Sequence, residues 1–340
     1  MTRPRATGYT AYRTTTVGGA SIIAFRRSVP DVRSVGDRAV PALARAVKAA
    51  LERVRESVSL DAAEHAIADG DWADLPDWSA FWDAPKTRQS PTGVGKATKT
   101  EQPFEKSGDP EAIIYQTMIA AAQAEGRFAG QLGLVNQAAV DAARRQAALL
   151  AVGLSRESRA AIREAVTVAT QGQLTVRQLA RVVRDSIGLT PTFAGAVANY
   201  RLTLAAGEMS PAAVGNRFTL SPKVPSVLSE SRLDAIVERY SERLLAQRAT
   251  ILARTESLRA AHSGQKSLWD AARADGLIPG DTKIVWQATP DDRECEACAA
   301  LDGTVIGFEE SWTATRGNAT FTEDTPPIHP GCRCTTSLDL

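Results

Sequence analysis

The chain has 340 residues, enough for one large domain or two to three ordinary domains. Hydrophobic residues make up 44% of it but aromatic residues only 6%, and alanine is abundant, which favours a mainly helical fold with a packed core. A formal net charge of +1 argues against binding of nucleic acid over the whole surface. Because we find no apolar run of about 18 residues and no signal-peptide pattern, we expect no membrane partner and synthesis in a cytoplasm, where thiols stay reduced.

The first 30 residues carry positive charge only. They hold five arginines and no acidic residue; the arginines are Arg3, Arg5, Arg13, Arg26 and Arg27. Such a segment is typical of a disordered terminus, or of a basic arm that binds DNA or an acidic partner. We therefore predict that any DNA affinity is weak, non-specific and dependent on residues 1–33.

Helical spacing of apolar residues predicts a helix from Gly36–Asp37 to about Val58. An aromatic patch follows, which is either a partner anchor or a small local core; its members are Trp72, Trp78, Phe81 and Trp82. Residues 84–109 are rich in Pro, Gly, Thr and Lys without apolar periodicity, which predicts a flexible linker. We therefore divide the first 109 residues into an N-terminal arm and helical segment, residues 1–83, and a linker, residues 84–109.

Residues 110–275 are predicted to form a helical domain. Asp109 and Pro110 start a long Ala-rich helical region that reaches about Val152, and a separate amphipathic helix follows from Leu154. Two further helices are predicted to begin within this domain. Thr175 with Gln178 forms a capping box at the start of one, and Thr190 followed by Pro191 marks the start of the other. A long helix over about 231–275 completes the domain.

Residues 276–340 are predicted to form a small α+β module. "KIVWQA" at 283–288 is a short strand pattern, and Asp302–Gly303 predicts a hairpin bend. Residues 309–328 look like a loop. The predicted fold class is therefore mainly α, a bundle-like helical body with a C-terminal module held together by a Cys/His cluster.

All four cysteines lie in the last 46 residues, in the order C-x2-C, 30 residues, H-x2-C-x-C. Two close ligands on each of two separated segments are the usual layout of a structural zinc site, because each short turn directs two donors at one tetrahedral ion. Five candidates exist for four positions: Cys295, Cys298, His329, Cys332 and Cys334. All-cysteine and mixed Cys/His ligation both fit the spacing, and two disulfides or unmetallated packing cysteines are the alternatives to a metal.

Catalytic signatures are missing from the same region. A zinc deaminase needs H-x-E ahead of its C-x-x-C, and a metalloprotease needs H-E-x-x-H; neither pattern occurs. The sequence also lacks the phosphate-binding motif G-x-x-x-x-G-K-[ST], the dinucleotide-binding motif G-x-G-x-x-G and the nucleophile motif G-x-S-x-G. We therefore expect no catalytic residues and no enzymatic activity.

Three stretches of the C-terminal half together resemble the phage Mu F-like head morphogenesis domain, found in minor head proteins of tailed bacteriophages. They are "ILARTESLRAAHSGQKSLWDAARADG", "KIVWQATPDDRECEACAALDGTVI" and "PPIHPGCRC", in that order. "GLTPTFAGAVANYRLTL" is similar to the helical part of the same family, so the resemblance extends over about residues 154–340. No motif connects residues 1–150 to the family.

The resemblance implies a minor capsid protein, present in few copies in the virion, associated with the portal protein and active in head assembly or genome delivery. Major capsid and scaffolding proteins are further possible partners. It places the family's Cys/His positions on the five candidates above and draws attention to Asp291, Asp292 and Arg293. It also singles out Arg254, Thr255 and Glu256, as a solvated helix face with local ion pairing or, through Arg254 or Glu256, as a buttress of the cysteine module.

Three functions follow from these observations. A structural head protein inside the capsid at the portal vertex, with a structural zinc, is the first. A non-specific DNA-binding head protein injected with the genome is the second, although residues 281–334 hold more acidic than basic residues. A zinc-dependent enzyme is the third, and it lacks the motifs it would need.

Overall fold

The computed structural model describes residues 32–69, 78–81, 108–124, 137–170, 172, 174–207, 228–289 and 294–339. The five N-terminal arginines, Trp72, Trp82, most of the predicted linker, and Asp291 to Arg293 lie outside these residues. The described part is a mainly helical body followed by a small module of strands, which confirms the predicted fold class. No helix within it is both long and apolar enough to cross a membrane.

The helical body is built around one very long helix. Its helices are α1 (Val32–Glu56), α2 (Leu60–Asp69), α3 (Pro110–Ala124), α4 (Gln137–Thr170), α5 (Val176–Ser186), α6 (Pro191–Ala205) and α7 (Glu230–Ala274), with a 3-10 turn at Trp78–Phe81. Helices α1, α3 and α6 pack along α7. Phe81 is fully buried in the same core and Trp78 packs beside it, so these two residues are part of the main core and not of a separate local core.

One hydrophobic core contains side chains from α1 and from α3 to α7. Helix α1 begins at Val32, earlier than the predicted Gly36, because Val32 and Val35 are buried against Ala121 of α3 and Ala261 of α7. The segment before the predicted linker therefore shares its packing with the segment after it.

The predicted helix starts agree with the structure at α5 and α6. The Thr175 hydroxyl accepts a hydrogen bond from the Gln178 N–H (3.3 Å), and the Gln178 side chain accepts one from the Thr175 N–H (3.0 Å). Thr190 caps α6, whose first residue is Pro191. The predicted separation of two helices near Val152 is wrong, because α4 runs unbroken from Gln137 to Thr170. Gly153 lies within it as a tolerated helical residue.

The C-terminal module contains two small antiparallel sheets. In the first, β1 (Lys283–Gln287) lies between β2 (Val305–Ile306) and β5 (Thr335–Asp339), with Trp286 opposite Thr336. Helix α8 (Glu296–Leu301) connects β1 to β2, so Asp302–Gly303 turns from α8 into β2 and the predicted hairpin bend is wrong. An intervening helix, not a tight turn, brings these two strands together.

The second sheet is a hairpin of β3 (Trp312–Arg316) and β4 (Ala319–Glu323), so the predicted loop over 309–328 is also wrong. Trp312 and Ala314 point inward while threonines alternate with them on the outer face, the period-2 pattern of a half-buried strand. Trp312 packs edge-on against Trp286 of β1, with ring centroids 5.1 Å apart. Leu268 and Trp269 near the end of α7 belong to the core of this module, so α7 contributes to it and to the core of the helical body.

Candidate metal centre

The N-terminal end of α8 positions the first pair of cysteines. Cys295 is the N-cap residue of α8 with extended backbone angles, and its Sγ accepts the Cys298 N–H at 3.4 Å. This is the capping geometry that a serine oxygen usually provides, here with sulfur as the acceptor. It directs both sulfur atoms to the same side of the turn.

The second group lies on the loop between β4 and β5. The Cys332 N–H donates to the His329 carbonyl (3.1 Å), which closes a tight turn, and Gly331 within it has a φ of +77°. The Thr289 hydroxyl donates to the Arg333 carbonyl (2.7 Å) and ties this loop to the end of β1. Cys334 then precedes β5 directly.

All five predicted residues meet in one cluster. His329 Nε2 lies 3.1 Å from the Sγ atoms of both Cys295 and Cys298. Cys298 Sγ lies 3.8 Å from Cys332 Sγ. Two groups have all their donor atoms within 4.8 Å of one another, Cys295 with Cys298 and His329, and Cys298 with Cys332 and Cys334. Cys298 is the member shared by both.

The donor set and its spacing fit a metal ion. Two thiolates bound tetrahedrally at about 2.3 Å from zinc are about 3.8 Å apart, the separation seen between Cys298 and Cys332. A cavity of about 20 Å³ adjoins the five side chains, room for a single ion or water. All four cysteines are free thiols, and 3.8 Å is far beyond a disulfide bond of about 2.05 Å. The cluster can therefore hold a metal ion.

The hydrogen bonds of His329 leave one ring nitrogen for the cluster. Its Nδ1 lies 3.0 Å from the Pro330 carbonyl oxygen, which can only accept, so the proton belongs on Nδ1. The Arg316 guanidinium is also near Nδ1, but at 3.5 Å this is the longer contact. Nε2 is then the ring nitrogen that faces the sulfur atoms, as in a metal-binding imidazole whose other nitrogen donates to an oxygen.

The buried thiols also perturb one another. Hydrogen bonding from the Cys298 and Cys334 thiols lowers the pKa of Cys332 well below that of an ordinary thiol. The hydrogen bond to Cys332 in turn raises the pKa of Cys298, and burial raises it further. The hydrogen bonds among the thiols therefore favour ionisation of Cys332 over ionisation of Cys298.

One turn of α7 contacts the cluster loop, and it gives Thr255, which we had singled out with Arg254 and Glu256, a contact that we did not predict. The Gly331 N–H donates to the Thr255 hydroxyl (3.2 Å). Glu256 is buried and forms an ion pair with Arg259 (2.6 Å), which faces Glu323 of β4 at 3.8 Å. Glu256 thus forms a local ion pair and links α7 toward the module. The predicted solvated face is wrong for Thr255 and Glu256, which are buried, whereas Arg254 is exposed.

A sequence signal for this turn does exist. Small residues recur at helical spacing on the buried face of α7, at Ala249, Ala253, Ala260 and Gly264. Glu256 interrupts that stripe, and a charge within an apolar stripe indicates a specific partner. For Thr255 the spacing alone carries no comparable signal, because its partner is 76 positions away.

A second buried titratable group lies in the helical body. Asp185 at the end of α5 is 6% exposed, and desolvation raises its pKa to about 6 despite the nearby Arg55 and Arg184. It lines a cleft of about 380 Å³ together with Glu52, Glu238 and Glu242. The lining is mostly charged, unlike the apolar pockets that usually bind small molecules.

Residues 226–337 match a protein-family model described as Phage Mu protein F like protein. The match spans α7 and nearly the whole C-terminal module, including all five cluster residues, and confirms the predicted resemblance for this part of the chain. Residues 154–225, over which we also expected resemblance, lie outside the matched range. No curated protein and no solved structure matches the chain.

Proposed function

Because residues 226–337 form a Phage Mu F-like domain, we propose that this protein is a minor capsid protein of a tailed bacteriophage that acts in head morphogenesis. The observation that carries the proposal is the extent of the match, which includes both the long helix α7 and the Cys/His cluster. The family points to a head protein, and hence to the virion. Association with the portal vertex is the more specific part of the proposal.

We propose that the cluster binds zinc in a structural role. Its donors are four sulfur atoms and one imidazole nitrogen, the ligand types of structural zinc sites. Three of the four cysteines and His329 are buried, and the five donors exceed the four positions of a tetrahedral ion. A catalytic zinc instead keeps one position for water or substrate. These features support a metal that joins chain segments, and a protein without enzymatic activity.

The bound ion would join two parts of the module that are otherwise connected through small sheets. Cys295 and Cys298 belong to α8, and the other three donors to the loop before β5. In so small a module the binding energy of the metal contributes directly to folding. The helices of the body have a large core of their own, so they do not depend on the ion.

We propose that the helical body, within residues 110–275, contacts the portal. Two large apolar side chains protrude on one face of α4, Leu149 at 72% and Val152 at 62% exposure. Their i, i+3 spacing makes them neighbours on the helix surface, and Ile251 of α7 is also exposed. Exposed apolar groups of this size are features of protein-binding surfaces.

The test is co-purification of the full chain with the portal protein of the same phage. The full chain is required because α1 shares a core with α3 to α7. We expect the double substitution Leu149→Asp with Val152→Asp to reduce capture strongly, and Val176→Asp on α5, also an exposed apolar residue, to leave it unchanged. Equal capture of both variants would reject this surface. Absence of the protein from purified particles and from assembly intermediates would reject the function itself.

A further inference from the structure

One turn of α7, from Thr255 to Arg259, contacts the cluster loop, and from it we infer that Thr255 is a positioning residue for the metal-binding loop. Its hydroxyl would hold the segment between His329 and Cys332 in the conformation that directs both donors at one ion. This inference rests on the proposed metal centre for its consequence, but the contact itself is independent of any ion.

The Thr255 hydroxyl is oriented to accept a hydrogen bond from the loop. It donates its own hydrogen to the Ile251 carbonyl one turn earlier (3.0 Å), which leaves its oxygen lone pairs for the Gly331 N–H at 3.2 Å. Thr255 is 5% exposed, so water has little access to replace it. The N–H of the residue between two candidate ligands is thus satisfied by a helix that provides no ligand.

A second contact of the same turn lies near the start of the loop. Glu256 accepts from the Gln146 amide of α4 on its carboxylate (3.0 Å) and on its carbonyl (2.9 Å). The same carboxylate pairs with Arg259, which is directed at Glu323, the last residue of β4. The loop from β4 to β5 is therefore hydrogen-bonded to α7 at Gly331, and Glu323 before the loop lies 3.8 Å from Arg259 of α7.

Removing the hydroxyl should release the loop without disturbing the helix. Valine in place of Thr255 preserves the shape of the buried side chain but leaves the Gly331 N–H without this acceptor. We expect the affinity for zinc to fall about fivefold or more, the scale of one lost hydrogen bond or of a substitution behind a metal ligand. Serine at this position retains the oxygen and should preserve most of the affinity.

The experiment compares full-chain Thr255→Val and Thr255→Ser with a matched control, Thr250→Val. Thr250 lies on the same helix and is exposed, and its hydroxyl bonds only the Ala246 carbonyl (2.9 Å). Zinc affinity is measured by competition with a chromophoric chelator. Exchange of the Gly331 amide is measured by NMR on zinc-free protein labelled with 15N-glycine. We expect weaker zinc binding and faster exchange for Thr255→Val alone.

The inference is overturned if Thr255→Val matches Thr250→Val in both measurements. If the unsubstituted protein takes up no zinc, the proposed metal centre fails, and the Gly331 exchange rate alone decides the positioning role. If Thr255→Val does not fold, Thr255→Ala, which favours helix, replaces it in the same comparison. Wild-type exchange in that variant would equally overturn the inference.

Discussion

Helices α3 and α7 approach so closely at Gly264 that even a methyl group has no room there. A Cβ on Gly264 would lie 2.2 Å from the Met118 carbonyl oxygen and 2.9 Å from the Met118 Cα, well inside ordinary contact distances. These are backbone atoms of α3, which cannot rotate away as a flexible side chain would. Gly264→Ala therefore requires one helix to move by about 1 Å.

The expected magnitude is the difference between two opposing effects. Alanine favours a helix over glycine by about 1 kcal/mol. Overpacking a well-packed contact costs about 1–3 kcal/mol, and the upper part of that range applies because the opposing atoms belong to the backbone. Ile113, Ile114 and Met118 of α3 are fully buried and would lose contacts if the helix moved. We expect Gly264→Ala to lower the free energy of unfolding by about 1–2 kcal/mol.

Gly153→Ala is the matched control, because no atom lies within 4 Å of a Cβ built at that position in α4. It should raise the free energy of unfolding by about 0.5–1 kcal/mol through helix propensity alone. Urea denaturation followed by far-ultraviolet circular dichroism measures both changes. The opposite signs are the test: a Gly264→Ala variant as stable as Gly153→Ala would refute the close approach of α3 and α7.

Three further predictions concern the cluster, a buried acid and the N-terminal segment. The purified protein should contain about one zinc per chain. Cys298→Ser should abolish zinc binding while the helices before Gly276 stay folded, and the control Ala299→Ser, at an exposed position, should retain the metal. Four freely reactive thiols in metal-free wild-type protein would contradict this prediction. Burial raises the pKa of Asp185 from 3.8 to about 6, so ionisation of this carboxyl destabilises the folded state as the pH rises through this window. Asp185→Asn should therefore be more stable than the unsubstituted protein by up to ~3 kcal/mol at pH 7 and equally stable below about pH 4. Thermal unfolding of both proteins across this pH range measures the difference. A chain starting at Asp31, which keeps the buried Val32, should lose any salt-sensitive DNA affinity, and equal DNA binding by the truncated and full chains would show that the arginines are not responsible.

Local features of this protein could be predicted from the sequence because their causes lie within a few residues. The capping box at Thr175 and Gln178 joins residues three positions apart, and the Thr190–Pro191 start of α6 depends on adjacent residues. The C-x2-C turn likewise closes over three positions, so its two sulfur atoms had to face the same side. The short spacing in the second segment similarly grouped His329, Cys332 and Cys334, which is why all five cluster residues were identified in advance.

The hairpin over β3 and β4 shows where local reading failed although a signal was present. Its strands carry alternating threonines, but they are short and surrounded by turn residues, so the polar composition favoured a loop. What stabilises the hairpin is the burial of Trp312 against Trp286, a residue of a different sheet. The alternating pattern therefore forms strands because this long-range contact buries one face of the hairpin.

The sequence by itself determined the helical character, the starts of α5 and α6 and the five candidate residues of the cluster, because periodicity, capping and ligand spacing act over a few positions. Only the tertiary structure decided that α1 joins the core of the later helices, and that Thr255 holds the cluster loop at Gly331. These contacts join residues far apart in the chain, 76 positions in the case of Thr255. Their partners are selected by how α7 packs against the whole protein, and packing of distant elements leaves no fixed spacing in the sequence.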